Sequence, residues 1–131
     1  MNLYKIACIA TSVLFVYLSF QLLFMSDEFV TDLGQQPSEA TAILSRRAAM
    51  FMLGVSVLMF SSRNLPASKA RQMICLATGT TLSGLNFMGW CEFFRGTVNN
   101  SIFVAITIET ALWVSFAIIL FKNKRIKTQQ P

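Results

Sequence analysis

The sequence predicts an all-α membrane fold, a polytopic four-transmembrane-helix antiparallel bundle with both termini cytoplasmic. Three observations lead there. The chain has 131 residues, 54% of them hydrophobic and only 13% charged, and its mean hydropathy is +0.56. A soluble domain averages about 45–50% apolar and about 25% charged residues, so this little charge would not cover a water-facing surface. The apolar residues gather into four runs near the ~20-residue length that crosses a hydrocarbon core. Basic residues collect at one set of run ends and acidic residues at the other, the asymmetry that fixes orientation in a bilayer. The length suits a single membrane domain over 1–131, with helices about 6–25, 42–61, 73–94 and 102–121 and a basic flexible tail over 122–131.

The first run, Ile6 to Met25, is interrupted only by Thr11, Ser12, Ser19 and Gln21, and Lys5 stands at its start. A cleaved signal peptide would have a shorter apolar core and a small-residue cleavage site. Phe24-Met25-Ser26-Asp27-Glu28 offers neither, so an uncleaved helix is expected. Ser26 to Ser45 reads as a polar connection with Asp27, Glu28, Asp32 and Glu39, broken at Gly34 and Pro37. Ser38 is placed to cap the next helix.

The second run is uninterrupted only over the thirteen residues Ala48 to Phe60, too short to span at about 1.5 Å per residue. Extension back to Ala42 gives a full span, Ala42 to Ser61, and takes in Arg46 and Arg47; the alternative is a short helix with both arginines at the interface. A basic loop follows, with Arg63, Lys69, Arg71 and the breaker Pro66. The third run, Met73 to Phe94, is rich in small residues, among them Gly79, Ser83, Gly84 and Gly89. Helix contacts in lipid favour such side chains, so this helix is expected at the packed centre, with Trp90 in an interfacial belt. A turn at Arg95 to Ser101 leads into the fourth run, Ile102 to Phe121, which carries a lone carboxylate, Glu109, near its middle.

With both termini cytoplasmic, eight basic residues lie inside (Lys5, Arg63, Lys69, Arg71, Lys122, Lys124, Arg125, Lys127) and three outside (Arg46, Arg47, Arg95). This distribution reads as a topology signal in a cell inner membrane, not as a nucleic-acid footprint. The lipid bilayer is the one partner the composition identifies. Cys8, Cys75 and Cys91 stand far apart and read as small buried hydrophobes. The chain contains no histidine, and no metal-ligand set, phosphate loop or nucleophile–base pair is present, so neither a cofactor nor catalysis is expected.

An ionisable side chain inside a span costs roughly 2.5–3.5 kcal/mol on insertion scales and usually faces a partner in the bundle. Asn86 and Glu109 are equally far from the centre of the turn between the third and fourth runs, so an antiparallel hairpin puts them at one height. From the midpoint of the second run, Arg47 falls about 6–7 Å outward of the midplane and Glu109 about 3–4 Å. Gln21 lies in the same outer half. The expectation is a buried cluster of Glu109, Arg47, Asn86 and Gln21, serving either as an ion pair that fixes helix register or as a pocket for a small or lipid-like ligand. Arg46, on the face of Ala49, Leu53 and Val57, is expected to snorkel to the outer headgroups.

Ser45-Arg46-Arg47-Ala48, Arg63-Asn64-Leu65-Pro66, Lys69-Ala70-Arg71 and the hairpin with Glu109 cover about two-thirds of the chain. Together they resemble small four-helix inner-membrane proteins of bacteria, and more loosely the chain is similar to DoxX-like four-helix proteins. The resemblance implies the architecture and no known activity. Small multidrug-resistance transporters are also four-helix proteins with one membrane carboxylate, but theirs lies in the first helix, which has no acid here. The Arg- and Asn-rich motif of membrane glutathione-transferase-like proteins has no counterpart. Three functional readings follow: a non-enzymatic bundle with a structural or ligand-binding polar cluster, a proton-coupled transporter acting as a homo-oligomer through Glu109, and an immunity or other partner-binding protein.

Overall fold

The structure, a computed structural model, describes the backbone of residues 2–127 and the side chains of residues 2–122. Among the described residues the chain is all-α, with helices α1 (Leu3–Phe24), α2 (Ser26–Asp32), α3 (Glu39–Ser62), α4 (Lys69–Phe94) and α5 (Ile102–Lys127). Three of them, α1, α3 and α5, are long and apolar enough to cross a membrane. The fourth long helix, α4, has 26 residues and so about 39 Å of length. Its Arg71, Gln72, Thr80, Thr81, Ser83 and Asn86 lower its hydropathy.

Local chemistry sets the boundaries. Ser38 accepts a hydrogen bond from the Thr41 amide at 3.1 Å, capping α3 as its position in the sequence suggests. Ser68 does the same for α4 through the Arg71 amide at 3.3 Å, so α4 begins four residues before the apolar run. Gly34 and Gly96 hold φ of +86° and +70°, a conformation that costs other residues roughly 1–2 kcal/mol. Each closes a helix with the same paired bonds. Gly34 N–H reaches Thr31 O at 2.8 Å and Gln35 N–H reaches Val30 O at 3.0 Å; Gly96 N–H reaches Phe93 O at 3.0 Å and Thr97 N–H reaches Glu92 O at 3.2 Å.

The stretch read as a polar connection contains α2. Asp27 and Glu28 occupy its first turn, where negative charge suits the helix dipole. At the other end of the chain the α5 backbone continues to Lys127, into the segment expected as a tail. The side chains of Lys124, Arg125 and Lys127, and all of residues 128–131, lie outside those described.

The centre of the bundle is α1. It packs against both α3 and α5, and α4 packs against α5. Its buried residues are Tyr4, Ala7, Cys8, Thr11, Ser12, Phe15, Ser19 and Leu22, whereas α4 buries only Cys75, Thr78 and Leu82. The expectation that the small-residue run occupies the centre is therefore corrected. Thr80, Thr81 and Gly84 of that run face outward, and a side chain at Gly84 would meet nothing within 4 Å. The small residues that matter are on α1 and α3. Ser12 and Ser56 exchange hydrogen bonds across the two helices, each hydroxyl donating to the other's carbonyl at 3.0 and 2.9 Å. Seven residues later on α1 and seven earlier on the antiparallel α3, Ser19 donates to Ala49 O at 2.9 Å.

The second antiparallel pair, α4 and α5, meets at Gly79, whose Cβ position lies 3.7 Å from Phe116, and at Gly89, whose Cβ position lies 3.1 Å from Ile106. One end of the bundle is tied by Asn99 N–H to Leu33 O at 3.1 Å and by the Asn99 and Ser101 side chains to Asp32 O at 2.7 and 2.9 Å. Trp90, Phe93, Phe94 and Phe103 form an aromatic cluster close to this end. Large apolar side chains ring the outside, including Phe51 at 79% exposure and Val104 at 67%. That surface suits lipid and not water.

Candidate functional site

The four polar residues singled out in the sequence fall into two pairs. The contacts of Gly79 with Phe116 and of Gly89 with Ile106 set a register in which Asn86 is level with Glu109. The Asn86 side-chain amide donates to Ile106 O at 2.9 Å and to Thr110 Oγ1 at 2.8 Å. It thereby clamps α4 to α5 one residue away from the carboxylate. Glu109 itself is half-buried beside the core residue Leu112. The Ser12–Ser56 and Ser19–Ala49 bonds set a second register, in which Gln21 is level with Arg47. Gln21 Nε2 donates to Tyr17 Oη at 2.9 Å on the same helix, and Arg47 is exposed.

The two pairs are not joined. Among the described residues the one ion pair within 4.0 Å is Arg95 with Glu92, at 3.2 Å. Arg47 lies on α3 and Glu109 on α5, helices that share no substantial interface because α1 stands between them. Equal depth follows from helix length and turn position. Adjacency depends on the order of helices around the bundle, which spacing along the chain does not encode.

A feature with room for a ligand lies between α1 and α3. A groove of about 690 Å³ runs between them, walled by Val13, Val16, Tyr17 and Phe20 of α1 and by Val57 and Phe60 of α3. Ser12 and Ser56 are on its floor, with their hydroxyls 2.9 Å apart. Because these hydroxyls and the two carbonyls satisfy one another, the floor offers little unmet hydrogen bonding and the groove is chemically apolar. It begins at Ser61 and ends at Phe20, which in the α1–α3 register is about 20 Å of helix. Ligand sites commonly occupy about 300–1,000 Å³ with mostly apolar walls. A smaller groove of about 260 Å³ lies between α4 and α5 beside Gly79, Ser83 and Trp113.

Gln21 touches the larger groove through Tyr17. At the opposite end, Arg63 stacks on the ring of Phe60, its guanidinium carbon 3.7 Å from the ring centroid, and donates one N–H to the Phe60 carbonyl. In the sequence, Ser12, Ser19 and Arg63 read only as polar interruptions or topology charges. The available signal was the matched spacing of small residues: Ser12 to Ser19 on α1 and Ala49 to Ser56 on α3 are both seven apart, the repeat that keeps one helix face toward another.

No protein-family model, curated protein or solved structure matches the chain. The functional reading rests on the residues and their geometry.

Proposed function

We propose that the chain is a multi-pass protein of a bacterial inner membrane that crosses it four times with both termini cytoplasmic, and that it acts by holding a lipid-like molecule and not by catalysis. The α1–α3 groove carries this reading. It is about 690 Å³ in volume, apolar, and open along the side of two helices that are each long enough to span. A site of that shape admits a hydrocarbon chain arriving from the bilayer.

Four crossings are supported by the connections. Ser62 ends α3 at the end of the bundle where α1 begins, and Ile102 starts α5 at the other end, beside α2. A chain in which α3 and α5 both span needs α4 to cross between them. The eight basic residues at the end holding the N-terminus support a cytoplasmic assignment. A membrane-impermeant maleimide applied to intact cells tests this: Gln36→Cys should label and Ala67→Cys should not, and the reverse pattern refutes the topology.

The binding reading is tested by lipid-dependent stability of the purified full chain in detergent. A molecule that binds the folded chain alone at a hundred times its Kd stabilises it by about 2.7 kcal/mol. Phospholipid should raise the unfolding midpoint in wild type but not in Val16→Trp, which obstructs the middle of the groove. Equal gains in both proteins refute the site.

Glu109 favours a second reading, proton-coupled transport by a homo-oligomer. It is half-buried within a span, and intramembrane carboxylates commonly lie on proton paths. That reading requires substrate uptake into vesicles to follow a pH gradient and to be lost in Glu109→Gln.

A further inference from the structure

We infer that the occupant of the α1–α3 groove is an anionic phospholipid, with its headgroup phosphate held by Arg63 and Lys5 and one acyl chain lying along the groove. This rests on the binding function proposed above and adds the ligand's charge and polarity.

The groove has two unlike ends. At the Phe20 end the neighbouring side chains are aromatic or amide: Phe20 against Phe24 with ring centroids 4.9 Å apart, and Tyr17 bonded to Gln21. At the Ser61 end it runs out beside a cation. The Arg63 guanidinium lies 3.7 Å over Phe60, a groove wall, so its position is fixed relative to the groove. One of its N–H groups goes to the Phe60 carbonyl, and a guanidinium carries five, which leaves donors for a phosphate oxygen. The register set by Ser12 and Ser56 puts Lys5 of α1 level with Arg63. Lys5 on α1 and Arg63 at the C-terminal cap of α3 thus place one cation on each side of the groove, at the same end. Arg71, stacked 4.1 Å over the Tyr4 ring, and Lys69 at the start of α4 add positive charge at that end of the bundle.

The dimensions agree with a phospholipid. One leaflet provides about 15 Å of hydrocarbon, half of the ~30 Å core. The groove's length of about 20 Å accommodates an acyl chain whose phosphate stays at the level of Arg63. A zwitterionic lipid would fit the apolar walls equally well, but its ammonium would stand near two cations. Charge at this end therefore selects an anionic headgroup.

Native mass spectrometry of the full chain, released from detergent with equimolar phosphatidylglycerol and phosphatidylethanolamine, tests the assignment. Wild type should retain one phosphatidylglycerol in about tenfold preference. Arg63→Gln should weaken that adduct about tenfold, as expected for loss of a charge-assisted hydrogen bond. Lys5→Gln should weaken it about fivefold. Val16→Trp, and independently Val57→Phe, should remove lipid of both kinds. Equal retention of the two lipids in wild type, with loss in Val16→Trp, would overturn the anionic assignment while leaving the groove as a lipid site. Adducts unchanged in both groove-filling variants would overturn the groove itself. A homodimer that these variants abolish, with no lipid adduct in wild type, would overturn both in favour of a second copy of the chain as occupant.

Discussion

Replacing Ser56 with leucine should separate α1 from α3, and its cost can be worked from the structure. Ser56 is 2% exposed. Its hydroxyl is 2.9 Å from both the Ser12 hydroxyl and the Ser12 carbonyl. A leucine cannot keep that approach, because its branched carbons would replace a hydroxyl held 2.9 Å from two oxygens. Overpacking of a well-packed site costs typically 1–3 kcal/mol. Interhelical hydrogen bonds within membranes average about 0.6 kcal/mol, and the substitution removes the one that Ser56 donates. The sum is about 1.6–3.6 kcal/mol. Ser56→Ala isolates the smaller contribution, because Ser12 still donates to the Ser56 carbonyl; about 0.6–1.2 kcal/mol is expected. Because each hydroxyl donates to a backbone carbonyl that alanine retains, the Ser12→Ala and Ser56→Ala effects should add to within about 0.5 kcal/mol in the double-mutant cycle. Reversible unfolding in bicelles by steric trapping measures all three. Val104→Leu, exposed on α5 and outside both grooves, serves as the control and should fall within about 0.5 kcal/mol of wild type. If Ser56→Leu is as stable as that control, the two helices do not meet at this residue and the register built on it fails.

Gly89→Leu should cost about 1–3 kcal/mol, because a Cβ there already lies 3.1 Å from Ile106; Gly84→Ala, open on all sides, should be neutral or slightly stabilising in the same unfolding assay. Asn86→Leu removes both bonds from α4 to α5 and should lower stability by about 0.6–1.7 kcal/mol, whereas Arg47→Gln, at an exposed position without a carboxylate partner in the structure, should change it by less than about 0.5 kcal/mol. Gly96→Ala forces a φ of +70° on a residue with a Cβ and should cost roughly 1–2 kcal/mol, visible as a lower unfolding midpoint.

The sequence made the architecture legible where one dominant force decides it. Apolar runs located the four long helices, and Ser38 marked the start of α3. Hairpin spacing put Asn86 level with Glu109, because an antiparallel register depends only on turn position and helical rise. What it did not reveal depends on competition between helices. Arg47 and Glu109 have opposite charges, but α1 occupies the space between their helices. Small residues were most numerous on α4, yet several of them face outward; their count reports how closely a helix could be approached and not which helix approaches. The short α2 escaped notice because a seven-residue polar helix has no apolar run, although Asp27, Glu28 and Gly34 are residues that favour a helix start and stop. The groove could not be read from the chain at all, since it is a property of two helix faces together.

Methyl-resolved NMR of the full chain tests the proposed lipid site most directly. The sample would hold valine-labelled protein in deuterated detergent, titrated with protonated phosphatidylglycerol. Nuclear Overhauser effects from acyl-chain protons should appear at the methyls of Val13, Val16 and Val57 and saturate at one lipid per chain. Val104 and Val114, exposed on α5 away from the groove, should show none at that ratio. Equal, non-saturating effects at all five valines would mean that lipid merely coats the bundle, and would contradict the account.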